Sequence, residues 1–370
     1  MRIGFDAKRA FLNYSGLGNY SRSVIESLAQ FYADENYFLF AAENKNELFK
    51  QALVRRNVEM VSGASFSKTY WRSYSQVNDW KKLNIDVYHG LSNELPFGLK
   101  RSKAKTIVTI HDLIFRKQPF NYKFIDRNIY DIKTKYACNR ADKIISISNQ
   151  TKNDIVDYYG INEKKVEVIH PSLPNHITRM ISMDIQDMVK QKYQLPQKFI
   201  LYTGTIEKRK NLLTVIKAIN NLGDKALPLI AVGKKTSYFD EIKDYLKSTG
   251  KNVQVAFLTD VNNNELNIIY SLSSLFIYTS LFEGFGIPLI EASAHGIPSI
   301  TTKNSCMEEA AGNGALYIDP LNVDETSDAI SNLTYNSHLH KQLSTLAIAY
   351  SSRFNSRIQA DQLMKTYREL

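Results

Sequence analysis

Short apolar runs recur along the chain, separated by longer amphipathic stretches of helical period. In the first half the runs are Arg2–Phe5, Tyr37–Ala41, Asp86–His89, Thr106–Ile110, Lys143–Ser146 and Val166–Ile169. In the second half they are Phe199–Thr203, Pro228–Val232, Val253–Phe257, Ser274–Tyr278, Pro298–Thr301 and Ala315–Ile318. Runs of this kind suit strands covered on both faces, and their alternation with helices predicts an α/β fold with parallel sheets. Residues 171–197 break the pattern with Pro171, Pro174 and Pro196, which marks an interdomain linker. The spacing therefore predicts domains over residues 1–175 and 176–352, with a helix over 353–370 after a break near Phe354-Asn355-Ser356.

The densest punctuation follows the run Ser274–Tyr278, in the segment Ser280-Leu281-Phe282-Glu283-Gly284-Phe285-Gly286-Ile287-Pro288-Leu289-Ile290-Glu291-Ala292. Gly284 and Gly286 permit a tight turn, and Pro288 suits a first helical turn. A helix N-terminus would then sit at the carboxyl end of a strand, where open α/β sheets bind phosphates. Glu283 lies in the turn and Glu291 one helical turn inside, so both can face one crevice. Glu291 also has a plain reading as a partner of the helix dipole.

Other strand ends carry candidate chemistry. Thr109-Ile110-His111-Asp112 ends a strand in a His-Asp pair. Gly204-Thr205-Ile206-Glu207-Lys208-Arg209-Lys210-Asn211 places cations after a strand and a glycine, where they can meet phosphate oxygens. Tyr14-Ser15-Gly16-Leu17-Gly18-Asn19-Tyr20-Ser21 forms a glycine-containing loop before a helix beginning near Tyr20. It fails the dinucleotide fingerprint, because Ser21 stands for the third glycine and the glycines lie too far from the strand. A basic helix spans about Phe120 to Arg140, and Ser148 can cap the helix after it.

Charge adds one asymmetry. Residues 1–175 hold 27 Lys and Arg against 18 Asp and Glu, whereas residues 176–370 hold 20 against 19. A basic first half suits an anionic substrate, an anionic membrane surface or nucleic acid, or is simply a solubilising surface. The stretch from Ser65-Phe66 through Tyr70-Trp71-Arg72 to Trp80-Lys81-Lys82 contains both tryptophans. It reads either as membrane or acceptor contact or as an amphipathic helix packed on its sheet. The two cysteines, Cys138 and Cys306, have no metal-ligand spacing and fit a reducing compartment. No apolar stretch reaches transmembrane length and the start lacks a signal-peptide pattern, so a cytoplasmic protein is expected.

Glu283 and Glu291, with Gly-Phe-Gly and Pro between them, resemble the E-x7-E motif of retaining glycosyltransferases of family 4. That resemblance implies the GT-B fold, two Rossmann-like domains with parallel sheets facing a cleft. It extends over Ala141–Ser148, Lys165–Pro171 with His170 for a common Asn, Phe257–Val261 with the helix Asn264–Ser271, and Glu308–Gly312, a support for the site's floor. By position it implies that Glu283 contacts donor-sugar hydroxyls, Glu291 the ribose, and the backbone of Phe285, Gly286 and Ile287 the sugar and diphosphate. His111 would contact the donor sugar, with Asp112 orienting it or the backbone. Gly16 and Gly18 would face the diphosphate, and Lys210 would bind it. Thr205 stands where many members have Arg, with Arg209 as the substitute cation. The last helix would cross back to the first domain, although Ser356 stands where the family often has Trp.

The G-T-x-E-x-R-K-N version is similar to a mannosyltransferase-like subgroup. It implies transfer of mannose from GDP-mannose to a glycan or lipid-linked saccharide in cell-surface polysaccharide synthesis, retaining configuration. No metal and no cofactor beyond the nucleotide diphosphate sugar are implied, nor any nucleic acid. The basic N-terminal domain would allow peripheral contact with an anionic membrane at its inner face. Alternatives are a UDP-sugar transferase, a GT-B sugar-nucleotide epimerase or hydrolase, a dinucleotide oxidoreductase, and a non-enzymatic basic binding protein.

Overall fold

The computed structural model describes residues 1–13, 16–43, 49, 57–63, 67–174, 177, 181–249 and 253–370. Tyr14, Ser15, Ser65 and Phe66 of the stretches above lie outside the described residues, as do residues 175 and 176 at the expected boundary. Two compact units result, Met1–Ser172 with Phe354–Leu370, and Leu173–Arg353.

The first unit is built on strands β1 (Arg2–Asp6), β2 (Asn36–Phe40), β3 (Val58–Val61), β4 (Val87–Gly90), β5 (Lys105–Ile110), β6 (Lys143–Ser146) and β7 (Val166–Val168). They form a sheet in the order β3-β2-β1-β4-β5-β6-β7. Every pairing in it is parallel. The second unit holds β8 (Ile200–Thr203), β9 (Leu229–Val232), β10 (Val255–Leu258), β11 (Leu275–Tyr278), β12 (Ser299–Thr302) and β13 (Ala315–Ile318). Their order is β10-β9-β8-β11-β12-β13, again parallel throughout. The apolar runs become central strands because helices cover both faces, so β4, β8, β9, β11 and β12 are buried along their whole length. The order reverses between β1 and β4 in one sheet and between β8 and β11 in the other, and such reversals open a crevice at the strands' carboxyl ends.

Three expectations need correction, and one open reading is decided. The strand Val58–Val61 was not predicted; it is the sheet's edge, with Glu59 and Met60 exposed, so its sequence lacks an apolar run. Within the expected irregular linker, Met183–Lys192 forms a helix that buries only Val189, which leaves almost no periodic signal. The first long helix begins at Gly16 rather than near Tyr20, so Gly16 and Gly18 belong to its first turn and not to a preceding loop. A Cβ on Gly18 would lie 1.8 Å from the Asn13 carbonyl oxygen, which explains the glycine by packing alone. Lastly, Trp71 and Trp80 are both buried. Trp80 stacks on Tyr88 at 3.9 Å between ring centroids, and Trp71 on Phe40 at 6.4 Å. The packed reading of that stretch holds for its tryptophans, and Tyr70 and Tyr74 are its exposed aromatics.

The C-terminal helix Ser356–Arg368 is part of the first unit. Tyr367 is buried there with its hydroxyl 2.7 Å from His89 Nδ1, and Tyr32 donates to Asp361 at 2.7 Å. Gln359 donates to the His170 carbonyl at 3.0 Å, and the His170 ring meets buried Phe354 edge-on. Ser356 simply opens the helix behind the Asn355 cap. Among the described residues, no helix is long and apolar enough to cross a membrane.

Candidate active site

In the second unit the loops after β8 and β11 leave neighbouring strands at the reversal and are stitched into one body. The 3-10 turn Lys208–Lys210 ends at Asn211, held at φ 58°, a conformation Asn tolerates better than most side chains. Asn211 Nδ2 donates to the carbonyls of Pro320 at 2.6 Å and Thr279 at 3.3 Å. Leu281 N donates to the Arg209 carbonyl at 2.8 Å, which ties the two loops backbone to backbone.

Glu283 is the centre of this body. Its Oε1 lies 2.7 Å from both Arg209 Nη1 and Lys210 Nζ, and accepts from Ser280 Oγ at 2.7 Å and Tyr278 OH at 2.9 Å. Burial alone would raise the pKa of this carboxyl. The Lys210 and Arg209 charges, with the Lys210 and Ser280 hydrogen bonds, override that and bring it down to about 2. Arg209 is fully engaged: Nη1 also donates to the Phe282 carbonyl and Nη2 to Glu207, both at 2.6 Å. Lys210 Nζ also donates to the Tyr278 hydroxyl and lies 4.8 Å from that ring's centroid. Beside it, a Cβ on Gly204 would meet the Lys210 side chain at 3.4 Å.

The helix Ile287–Ala294 begins on Gly286, whose φ of +118° only glycine adopts readily. A Cβ on Gly286 would meet Leu289 at 3.1 Å and Ala310 and Met307 at 3.5 Å, so these side chains pack around the turn. Phe285 is buried and anchors the turn. One turn inside the helix, Glu291 accepts a hydrogen bond from Tyr270 OH at 2.9 Å, and Tyr270 in turn bonds Thr203 at 2.8 Å. Burial, only partly offset by the Tyr270 bond, raises the Glu291 pKa from 4.5 to about 7.

A raised carboxyl pKa means that the folded protein holds this proton more tightly than the unfolded chain. Its stabilising contribution is complete below about pH 4.5 and is lost as pH rises to about 7, a swing of about 3 kcal/mol. Glu291→Gln should therefore be more stable than wild type at pH 8, with the difference vanishing toward pH 4. Denaturant unfolding across that range checks it, and an equal difference at both ends would show that the carboxyl does not titrate there.

In the first unit, His111 follows β5 and is buried. Its Nε2 lies 2.8 Å from the Leu91 carbonyl, which can only accept, so Nε2 carries the proton and Nδ1 the lone pair. Burial lowers its pKa to about 4, so it is neutral at physiological pH. The Tyr20 ring packs edge-on against it at 4.7 Å. Asp112 Oδ1 accepts from Ile114 N at 3.1 Å, and Asn93 Oδ1 accepts from His111 N at 2.8 Å. Asp112 thus holds backbone.

His111 and Asp112 border a cavity of about 200 Å³. Arg9, Glu94 and Lys133 bring charge to its wall, Tyr122, Tyr130 and Phe115 bring rings, and Leu17 comes from between Gly16 and Gly18. Glu94 is set by Arg72 at 2.8 Å, which also holds Asp6 at 2.7 Å.

The structure thus brings Glu283, Lys210 and Arg209 together and sets Glu291 deeper in the same helix-and-turn. Thr205 is exposed just past Gly204, and His111, Asp112, Gly16 and Gly18 belong to the other unit. Tyr278, Ser280 and Tyr270 were missed because they read as strand, turn and core positions. Glu94, Arg72 and Asp6 were missed too, although the strand-end rule applied to β1 and β4 would have found Asp6 and Glu94. Among the described residues, no group of three or more His, Cys, Asp or Glu side chains could hold a metal ion.

Residues 14–174 match the model for glycosyltransferase family 4 and residues 185–349 that for glycosyl transferases group 1. O-antigen chain mannosyltransferase RfbU of Salmonella typhimurium is 29% identical over 228 residues, which take in 61% of this chain and 60% of RfbU. O-antigen chain mannosyltransferase B of Escherichia coli is 24% identical over the whole of both chains. The Escherichia coli serotype-specific mannosyltransferase WbdA is 26% identical over 73% of this chain but only 34% of its own length. A glycosyltransferase from Rickettsia africae has a similar structure, with TM-score 0.78 at 17% identity over 100% of this chain and 98% of its own. So does Anabaena HepE in complex with UDP and glucose, at 0.78 and 17% over all of both chains. Both structures share the fold of two parallel-sheet units, the family models cover most of the sequence, and the chain belongs to the family 4 glycosyltransferases of GT-B fold.

Proposed function

We propose that this chain is a retaining mannosyltransferase that moves mannose from GDP-mannose to a glycan or lipid-linked saccharide in cell-surface polysaccharide synthesis. The observation that carries the chemistry is the Glu283 carboxylate held between Lys210 and Arg209, beside a helix N-terminus at a sheet reversal. Mannose rests on the names of the relatives RfbU, mannosyltransferase B and WbdA. The donor diphosphate takes Lys210 Nζ and the backbone N–H groups of the Phe285–Ile287 turn, with the exposed Thr205 hydroxyl alongside. Lys210 then shares its charge between phosphate and Glu283, and a Glu283 oxygen accepts a donor-sugar hydroxyl. Glu291 meets the ribose, and His111 the donor sugar. Arg209 already serves three acceptors, so it positions Glu283 rather than replacing the cation absent at Thr205.

As the sugar–phosphate bond breaks, the acceptor hydroxyl attacks from the same face and its proton passes to the departing phosphate. Lys210 and the helix end stabilise the charge that gathers there, with no metal or other cofactor assigned a part. The acceptor saccharide fits the first unit's cavity, where Tyr122 and Tyr130 can cover a sugar's apolar face and Glu94 and Asn93 its hydroxyls. The setting is the cytoplasm.

A UDP-sugar donor is the second reading, favoured by the UDP and glucose bound to HepE. Thermal unfolding separates the two. At about a hundred times its dissociation constant GDP should stabilise the chain by about 2.7 kcal/mol, a shift of a few degrees, while UDP does not. A response to UDP alone would discard mannose and keep the site.

A further inference from the structure

Glu283 is held at both ends. Arg209, Lys210, Ser280 and Tyr278 hold its carboxylate, and a separate set of contacts holds the backbone that carries it. The pairing of β11 with β12 ends at Tyr278 opposite Thr301, so the turn that follows lies beyond the ladder. Side chains from the end of β12 and the loop after it supply donors instead. Thr302 Oγ1 donates to the Ser280 carbonyl at 2.8 Å, and Cys306 Sγ donates to the Glu283 carbonyl at 3.1 Å. Thr301 Oγ1 donates to the Tyr278 carbonyl at 2.8 Å, at the last pair of the ladder itself.

β11 lies between β8 and β12. The loop after β8 meets the carbonyls in between, with Asn211 Nδ2 donating to Thr279 at 3.3 Å and Arg209 Nη1 to Phe282 at 2.6 Å. The turn is thus gripped by turns from its two neighbours, and the β12 side of the grip consists of uncharged donors. Ser305 Oγ donates to the Thr302 carbonyl at 2.9 Å, which joins Thr302 and Cys306 in one short loop. Thr302 and Cys306 are both buried. A buried carbonyl deprived of its donor shifts toward another partner, and a shift of this turn carries the carboxylate with it. A carboxylate oxygen shared between two cations at 2.7 Å tolerates little displacement.

We propose that Thr302 and Cys306 are positioning residues, which set the Glu283 turn so that one carboxylate oxygen meets Arg209 and Lys210 together. Both act through the backbone of Ser280 and Glu283 and touch neither donor nor acceptor. The effect on transfer rests on the transferase reading; the effect on the Glu283 carboxylate does not. In the sequence Thr301-Thr302 reads as the end of a strand and Cys306 as a cysteine without metal spacing, so neither points toward Glu283 there.

Two readouts on the full chain test this. Thr302→Val/Cys306→Ala removes both donors and should lower kcat by about tenfold to a hundredfold, with acceptor KM held within about twofold. The second readout is the ¹³C resonance of the Glu283 side-chain carboxyl, assigned by its absence in Glu283→Gln. With its pKa brought down to about 2, this carboxyl is ionised in the wild type at about pH 4. In the double variant the resonance should move toward its protonated position at that pH, as Arg209, Lys210 and Ser280 fall out of register with it. Thr302→Ser/Cys306→Ser keeps a donor at each position and should restore both readouts. Thr326→Val loses a similar bond, from a buried hydroxyl to the Asn322 carbonyl at 2.8 Å in another helix, and should lower the melting temperature without moving either readout. Should the double variant fail to fold, each single variant carries the same test. An unmoved resonance would overturn the proposal whatever the rate, as would an equal movement in Thr326→Val. A moved resonance at wild-type kcat would keep the positioning role and remove Glu283 from the chemistry, which is the separate failure of the transferase reading.

Discussion

Glu283→Gln should lower kcat/KM roughly a thousandfold, about 4 kcal/mol of transition-state stabilisation, while the protein still folds. Glutamine keeps the length and an oxygen acceptor, so Tyr278 and Ser280 retain a partner. What it removes is a carboxylate that pairs with both Arg209 and Lys210. An amide cannot balance either cation, and its N–H₂ would point a donor at donors. Breaking a buried pair from one side costs about 3 kcal/mol or more, so a fall in melting temperature should accompany the kinetic loss.

The pH profile separates this from loose folding. A carboxyl brought from 4.5 down to about 2 stabilises the fold fully above about pH 4.5 and ceases to as pH falls toward 2. The variant should lose that acid-side dependence and keep the rest of the curve. Steady-state kinetics with denaturant unfolding at several pH values checks both. More than a tenth of wild-type activity in a stable Glu283→Gln protein would remove Glu283 from the reacting centre.

The frame of this molecule was legible because buried parallel strands write themselves as uninterrupted apolar runs. All six runs of the second half and all six of the first became strands within two residues of their expected ends. What stayed hidden had no such run: Val58–Val61 has no buried residue and lies on an edge, and Met183–Lys192 buries a single side chain. The glutamate pair was legible from its spacing around Gly284, Gly286 and Pro288. Its electrostatics were not, since a sequence cannot say that Arg209 and Lys210, so far along the chain from Glu283, meet at one of its oxygens. Nor could it separate the two glutamates, one driven down by cations and the other driven up by burial beside Tyr270. Patterning also left two readings of the 65–82 stretch open, because Trp and Tyr next to Lys look alike whether they pack on a sheet or face water.

The second large effect belongs to Lys210. Lys210→Met should reduce kcat at saturating donor by about a hundredfold to a thousandfold, since a preorganised charge aimed at the developing diphosphate is lost. Methionine fills the aliphatic path beside Gly204 and over the Tyr278 ring, so packing changes little. Glu283 keeps Arg209, Ser280 and Tyr278 and remains ionised, which sets this variant apart from Glu283→Gln. Nucleotide diphosphate binding should weaken and lose part of its salt dependence, because an ion pair with phosphate is gone. Lys210→Arg should recover only part of the rate, as a planar fork cannot follow a single point charge between Glu283 and phosphate. Glu283→Gln and Lys210→Met combined should cost far less than the sum of the two, because each strikes the same charge pair. Additive losses would mean that Lys210 and Glu283 act on the donor separately, and a Lys210→Met enzyme at near wild-type kcat would mean that the diphosphate finds its positive charge elsewhere.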